Sequence, residues 1–358
     1  MNTPTPPPTA AWLDAVPTLA PGVEFYPFDR GTVLVEQPRY GHQVRISPVA
    51  HGLLELVDGR RTVAELTDEL RQRHGASLPP AEVYRLLFGR LAAYGIVESD
   101  QPVAARRGDA YLRLRVPLFS ERWVAHLSRP LRFLFHPRWF YALYAAMLVF
   151  LTALLLYRHS LTAFYQSITL QSTGLFYGVF LCSALLHELG HATACRRFGA
   201  KPGSIGFGFY LFTPVLYADV SSAWKLPPAQ RVIIDLAGIY MELLFCTALG
   251  LTFLLTQNYL FLNVSLVVMA TTYINLNPLL RFDGYWATSD LLRVPNLRAT
   301  SNRHLLAALK WAVGRGPQPV RSVLDGFLVG YALASWAFIA LFLVGVLVYS
   351  PRSVVYFP

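Results

Sequence analysis

The pentapeptide His187-Glu188-Leu189-Gly190-His191 is the stretch of this sequence best suited to chemistry. On a helix, residues four apart share a face, so both imidazoles can reach one divalent cation while Glu188 stands beside them. Zn2+ suits two ring nitrogens, needs at least one further protein ligand, and keeps a place for water. A glutamate at that water can take its proton and pass it to a leaving amine, which is the chemistry of peptide hydrolysis. The motif lies inside an apolar run, where two histidines and a glutamate are costly in lipid and mark a working site.

A third ligand should be a carboxylate or imidazole at a similar depth. The string Asn275-Leu-Asn277-Pro278-Leu-Leu-Arg281-Phe282-Asp283-Gly284 supplies one at the end of a later apolar run, about 90 residues downstream. Pro278 is expected to interrupt the helix, and Gly284 to permit a sharp turn that points Asp283 back into the bundle. Two further acids stand in apolar surroundings. Glu242 lies within a run and needs a polar partner, either around the metal or on another helix. Asp235, nearer the basic flank, is expected to pair with an arginine.

The elements that must position these groups follow from composition. The chain has 358 residues, 54% of them hydrophobic and 15% charged, against about 25% charged in ordinary soluble domains. Residues 1–115 read as water-soluble. Apolar runs at about 139–157, 174–195, 231–256, 259–278 and 322–349 approach the roughly 20 residues a spanning helix needs. Five Lys or Arg residues lie in 196–231 and seven in 281–321, whereas 158–173 carries only Arg158 and the tail only Arg352. That bias places the N-terminal domain and both basic segments in the cytoplasm and predicts a multi-pass protein of the cell membrane.

The net charge of +10 does not indicate nucleic acid. Many arginines lie in 105–138, interleaved with Trp123, Phe133 and Phe135, a mixture suited to lipid headgroups. Cys182, Cys195 and Cys246 have no metal-ligand spacing and are expected to be packing residues. The start, MNTPTPPPTAAW, has neither a basic beginning nor an apolar core, so no cleavable signal is expected.

Four segments result. Residues 1–20, rich in Pro, Thr and Ala, are expected to be a disordered tail. Residues 21–100 predict an α+β, winged-helix-like soluble domain. Its strands run over Val23–Phe28, Thr32–Glu36 and Gln43–Ile46, its helices over about 48–57, 62–74 and 80–94, and Ile96–Glu98 closes it as a last strand. Thr62 and Glu65 form a capping box, and the third helix stops at Gly95. Residues 101–138 read as a basic-aromatic interfacial connector, and 139–358 as the membrane core. Within that core Gly203–Val220 alternates glycine with aromatics and predicts a β-hairpin or re-entrant strand.

Two resemblances sharpen the reading. Ile46-Ser-Pro-Val-Ala, Leu53–Gly59 and Arg61–Leu70 resemble the peptide-binding domains of the pyrroloquinoline-quinone peptide chaperone type, over about 22–99. That resemblance implies recognition of the leader of a ribosomal precursor peptide. A domain that docks on the membrane part or on a partner protein, and a DNA-binding wing, stay open beside it.

HExxH with a later N-x-x-P-x-x-x-x-D-G is similar to the signature of the site-2 protease family of intramembrane metalloproteases, over about 125–300. The resemblance implies His187, His191 and Asp283 as zinc ligands and Glu188 as catalytic base. It also implies that Asn275 steadies the substrate carbonyl, and that the 203–220 hairpin pairs with an extended substrate. Asp219-Val-Ser-Ser-Ala-Trp224 and Arg281-Phe-Asp-Gly-Tyr-Trp286 look like the peptide zinc metalloprotease branch, whose members accompany peptide export and modification systems.

The expectation is a zinc endopeptidase in lipid that cuts a precursor peptide, with export or modification proteins as partners and no nucleic acid. A protease acting on a membrane-anchored regulator, and a non-catalytic peptide-binding or export-adaptor subunit that keeps the zinc site, are the alternatives.

Overall fold

In the computed structural model the described residues are 10–28, 31–104, 112–157, 170–210 and 213–353. They form two compact units, Met1–Arg113 and Leu114–Pro358.

The first unit starts from an antiparallel meander of β1 (Glu24–Pro27), β2 (Val33–Gln37) and β3 (His42–Ile46), in that spatial order. Phe25 faces Val35, and Val35 faces Val44. Three helices follow. α1 (Pro48–Leu56) begins at Ser47, whose hydroxyl accepts the Ala50 N–H at 3.2 Å. α2 (Val63–His74) carries the capping box, with Thr62 and Glu65 each satisfying the other's backbone N–H, and it ends at Gly75 with φ of 62°. α3 (Pro80–Tyr84) continues through a π-turn over Arg85–Leu91 and a 3-10 turn to Gly95. Val35, Leu53, Leu66, Leu70, Val83, Leu87 and Ile96 bury their side chains together. A cleft of about 700 Å3 opens between the β2–β3 turn at Arg39 and Tyr40 and the end of the third helix at Phe88 and Ala92.

Two expectations differ here. The stretch 10–20 is ordered: Trp12 packs on Tyr84 with ring centroids 5.8 Å apart, and the Ala15 carbonyl accepts the Val63 N–H at 3.0 Å. Composition misjudged it because one tryptophan anchors a segment otherwise made of small residues. Residues 1–9 lie outside the described residues. The closing strand at Ile96–Glu98 is reduced to one antiparallel bridge between Leu19 and Val97.

The second unit is mostly helical, with a small sheet of β4 (Leu112–Phe119), β5 (Ile205–Tyr210) and β6 (Thr213–Ala218) in the order β4-β5-β6. β5 and β6 form the expected hairpin, with Ile205 opposite Ala218 and Phe207 opposite Leu216. The segment expected as a connector is packed into this unit. In α4 (Glu121–Leu131), Val124 joins Ala192 and Ile205 in one cluster. The following turn buries Phe135 against Tyr240, whose hydroxyl donates to the Leu134 carbonyl at 3.1 Å.

Then come α5 (Pro137–Tyr157), α6 (Leu170–Arg197), α7 (Pro228–Thr256), α8 (Tyr259–Leu276), α9 (Asp283–Leu291), α10 (Leu297–Ala312) and α11 (Val323–Ser353). Among the described residues four of these, α6, α7, α8 and α11, are long and apolar enough to cross a membrane. They become five if α4 with its following turn and α5, bent by 84°, count as one span. The chain is a multi-pass helical protein with a small β element. α7 is its hub, packed against α5, α6, α8 and α9. Phe140, Ile234, Ala237, Tyr240, Leu243, Cys246 and Val268 fill the interior around it.

Candidate metal centre

His187 and His191 sit one turn apart on the buried face of α6. Their Nε2 atoms are 3.1 Å apart. Asp283, the first residue of α9, brings its Oδ2 to 3.0 Å from His187 Nε2 and 3.5 Å from His191 Nε2. Ligands held about 2.0–2.1 Å from a tetrahedral Zn2+ stand at about this separation from each other. The three residues are the one such cluster among the described residues.

Two observations show that a cation fits. The Nδ1 of His191 lies 2.7 Å from the Ile234 carbonyl on α7. A carbonyl only accepts, so Nδ1 carries the proton and the Nε2 lone pair faces the other two groups. Asp283 Oδ2 is buried and faces both rings. The His191 lone pair, the His187 Nε2 and a carboxylate oxygen thus converge on one point, a donor set of the kind a divalent cation draws together.

α7 leaves room for the rings. A Cβ built on Gly238 would collide with Nε2 of both His191 and His187, so glycine is required there by close approach. Asp283 reaches the centre by a broken helix. α8 ends at Leu276, Asn277 turns its side chain back to accept the Leu279 N–H at 2.9 Å, and Tyr331 on α11 donates to the Pro278 carbonyl at 2.6 Å. Pro278 thus stands where the sequence placed the break. Gly284 does not make the turn: it lies inside α9, and a Cβ on it would strike the Leu276 backbone. Its value is the tight packing of one helix start on another helix end.

Glu188 is beside the pair, and the Ala218 backbone N–H on β6 bonds to it, so the sheet's outer strand lies against the centre. Asn275 is half-buried on the last turn of α8, and its side chain makes no hydrogen bond among the described residues. Asp219, for which the sequence suggested no role, accepts from the Ser221 N–H at 3.1 Å and from its hydroxyl, just before the short 3-10 turn Ser221–Lys225.

The expected pairing of Asp235 with an arginine is found as part of a larger cluster, in which it feels the charge of Arg231. Arg231 is buried, and its Nε donates to Asp290 on α9 at 2.9 Å while Nη1 donates to the Leu226 carbonyl at 3.0 Å. Asp235 shares a hydrogen bond with that same Asp290. Arg231, counted among the loop cations above, is therefore an internal strut. Cys195 and Cys246 are buried and unpaired, whereas Cys182 is exposed.

Sequence reasoning missed Gly238 and β4. The signal for β4 was present: Leu112, Leu114, Val116 and Leu118 alternate with Arg113 and Arg115, a period of two. Gly238 gave no local signal, since its demand comes from another helix.

A multi-pass helical fold with a buried His-His-Asp centre is the class this chain defines. Among known proteins it is similar to the Bacillus subtilis (strain 168) protein named "Putative peptide zinc metalloprotease protein YydH", 27% identical over 140 residues. The match covers 38% of this chain and 55% of the relative, so the chain spans about half the length of the curated relative it matches. No family profile and no solved structure matches the chain.

Proposed function

We propose that this chain is a zinc endopeptidase of the membrane, with His187, His191 and Asp283 as metal ligands and Glu188 as general base. The observation that carries the proposal is the convergence of the three ligand atoms within 3.0 to 3.5 Å of one another. The name of the B. subtilis relative supports the same chemistry.

Zinc, when held there, supplies the positive charge that makes a water acidic and polarises a carbonyl. Glu188 takes the proton of the attacking water on its carboxylate and later gives it to the leaving amine. The Ala218 N–H holds that carboxylate in place. Asn275, whose amide is unpartnered among the described residues, donates to the carbonyl oxygen as charge builds on it. β6 is an outer strand of its sheet, and its edge offers backbone groups to an extended substrate.

The substrate in this reading is a ribosomally made precursor peptide whose leader is held by the first unit and removed in step with export or modification. The unit's meander and three helices suit such a role, and its cleft has room for peptide side chains. The lysine and arginine bias of the loops supports a cytoplasmic first unit. The partners are then the peptide, the bilayer and the export or modification proteins, with no nucleic acid.

Mass spectrometry of peptides from cells expressing the wild type or Glu188→Gln tests this. Cleavage products are expected only with the wild type. A product set identical in both strains removes the proteolytic reading.

A further inference from the structure

Glu242 is buried in the middle of α7 at 4% exposure, inside a span. A carboxylate there is expensive unless its oxygens are well compensated. One partner is visible: the Thr272 hydroxyl on α8 lies 2.9 Å from Oε2. That hydroxyl has a single proton and is equally close, at 2.9 Å, to the Val268 carbonyl in its own helix. Thr272 alone is thin compensation for a buried acid.

The same oxygen, Oε2, lies 3.4 Å from Nδ1 of His187. This exceeds the ~2.9 Å of a fully formed N–H···O bond, so a small movement of the ring closes it. His187 Nδ1 is itself buried and has no other hydrogen-bond partner. Each group thus has one unmet need that the other fills. His191 shows the parallel arrangement, with its Nδ1 on the Ile234 carbonyl. Both acceptors come from α7, one on each side of Gly238.

We propose that Glu242 is a positioning residue that orients His187 and raises the basicity of its Nε2 toward the metal. The inference rests on the metal reading above. A carboxylate behind a ligating imidazole holds the proton on Nδ1, fixes the ring plane and strengthens Nε2 as a donor. The two histidines are then unequal ligands: His187 is backed by an anion and His191 by a neutral carbonyl. Thr272 in turn holds the carboxylate, which links α8 to the centre without lending it a ligand.

The test uses the purified full-length protein in detergent and Co2+ as the probe, because its visible spectrum reports ligand geometry. Affinity is measured by competition with a chelator, and thermal stability is measured without metal. Relative to wild type, Glu242→Gln is expected to weaken Co2+ about tenfold and Glu242→Ala about a hundredfold, with an altered spectrum. Thr272→Val is expected to lose a few-fold, and Glu242→Asp to recover part of the affinity lost in Glu242→Ala. Metal-free stability of Glu242→Gln should stay near that of the wild type. A Glu242→Ala protein that binds Co2+ as tightly as wild type overturns the proposal, as does a loss confined to metal-free stability. If His187→Ala and Asp283→Ala bind Co2+ unchanged, it is the metal reading itself that falls.

Discussion

The Nδ1 of His191 sits 2.7 Å from the carbonyl oxygen of Ile234, so a backbone group of one spanning helix sets which nitrogen of its neighbour is free. Backbone carbonyls cannot be mutated away, and they move only with the helix that carries them. The imidazole's orientation therefore depends on the packing of α6 against α7.

The ligand set makes the first prediction. Wild-type protein is expected to hold close to one zinc per chain by elemental analysis, and exhaustive chelation should abolish peptidase activity until zinc is returned. His187→Ala, His191→Ala and Asp283→Ala should each lower metal content sharply. Glu188→Gln should retain the metal and lose at least about a hundredfold in turnover, the scale of a general base. Metal loss in Glu188→Gln equal to that in the ligand variants would contradict these separate roles.

Gly238→Ala is a sharper probe, because it adds one methyl group. In an ordinary helix the change stabilises by about 0.5–1 kcal/mol. Here the added Cβ meets both Nε2 atoms. The variant is expected to insert in membranes and remain helical by circular dichroism, yet to bind little metal. Full metal occupancy would show that the rings have another place to go.

Arg231 and Asp290 give a stability prediction. Their side chains are 4% and 17% exposed, and the pair joins the start of α7 to α9, the helix that begins at Asp283. Removing the guanidinium leaves two acids, Asp290 and Asp235, beside each other without its positive charge, so Arg231→Met should cost about 3–5 kcal/mol in thermal unfolding. The double variant Arg231→Met with Asp290→Leu should recover much of that loss. Additive losses would argue against a direct partnership.

The first unit offers a cap. Thr62→Ala removes the hydroxyl that receives the Glu65 N–H, which is half of the capping box. About 1 kcal/mol of local stability should disappear. Hydrogen exchange over residues 63–70 in the full chain should quicken accordingly, with no change at the metal centre.

Asp58 gives a pH dependence in the same unit. The Arg61 and Arg60 backbone N–H groups donate to its carboxylate and hold its pKa below the usual value. A depressed folded-state pKa contributes stability that is present above the unfolded value of 3.8 and lost as pH falls through the folded one. Exchange at Arg60 and Arg61 should differ between wild type and Asp58→Asn near neutrality and converge in acid. A difference that persists in acid would assign the effect to something other than the carboxylate's charge.

Much of this was legible in the sequence because it rests on local rules. The capping box at Thr62, the stop at Gly95 and the hairpin at 205–218 follow from neighbouring residues. His187 and His191 meet because four residues make about one helical turn. What escaped depends on distant partners. Gly284 looks like a turn residue until the Leu276 backbone is seen against it, and Arg231 looks like a loop cation until Asp290 is found beside it. The arginines of β4 disguised a strand as a headgroup segment, since charge and alternation pointed to different environments.

α7 contributes no ligand to the centre, yet Arg231, Ile234, Gly238 and Glu242 all face it or its supports from a single stripe. Turning this helix by one residue, about 100°, would carry the carbonyl, the gap and the acid away from α6 together. The centre therefore reads out the rotational setting of a helix that never touches the ion. In a misassembled bundle the three ligand atoms would no longer meet.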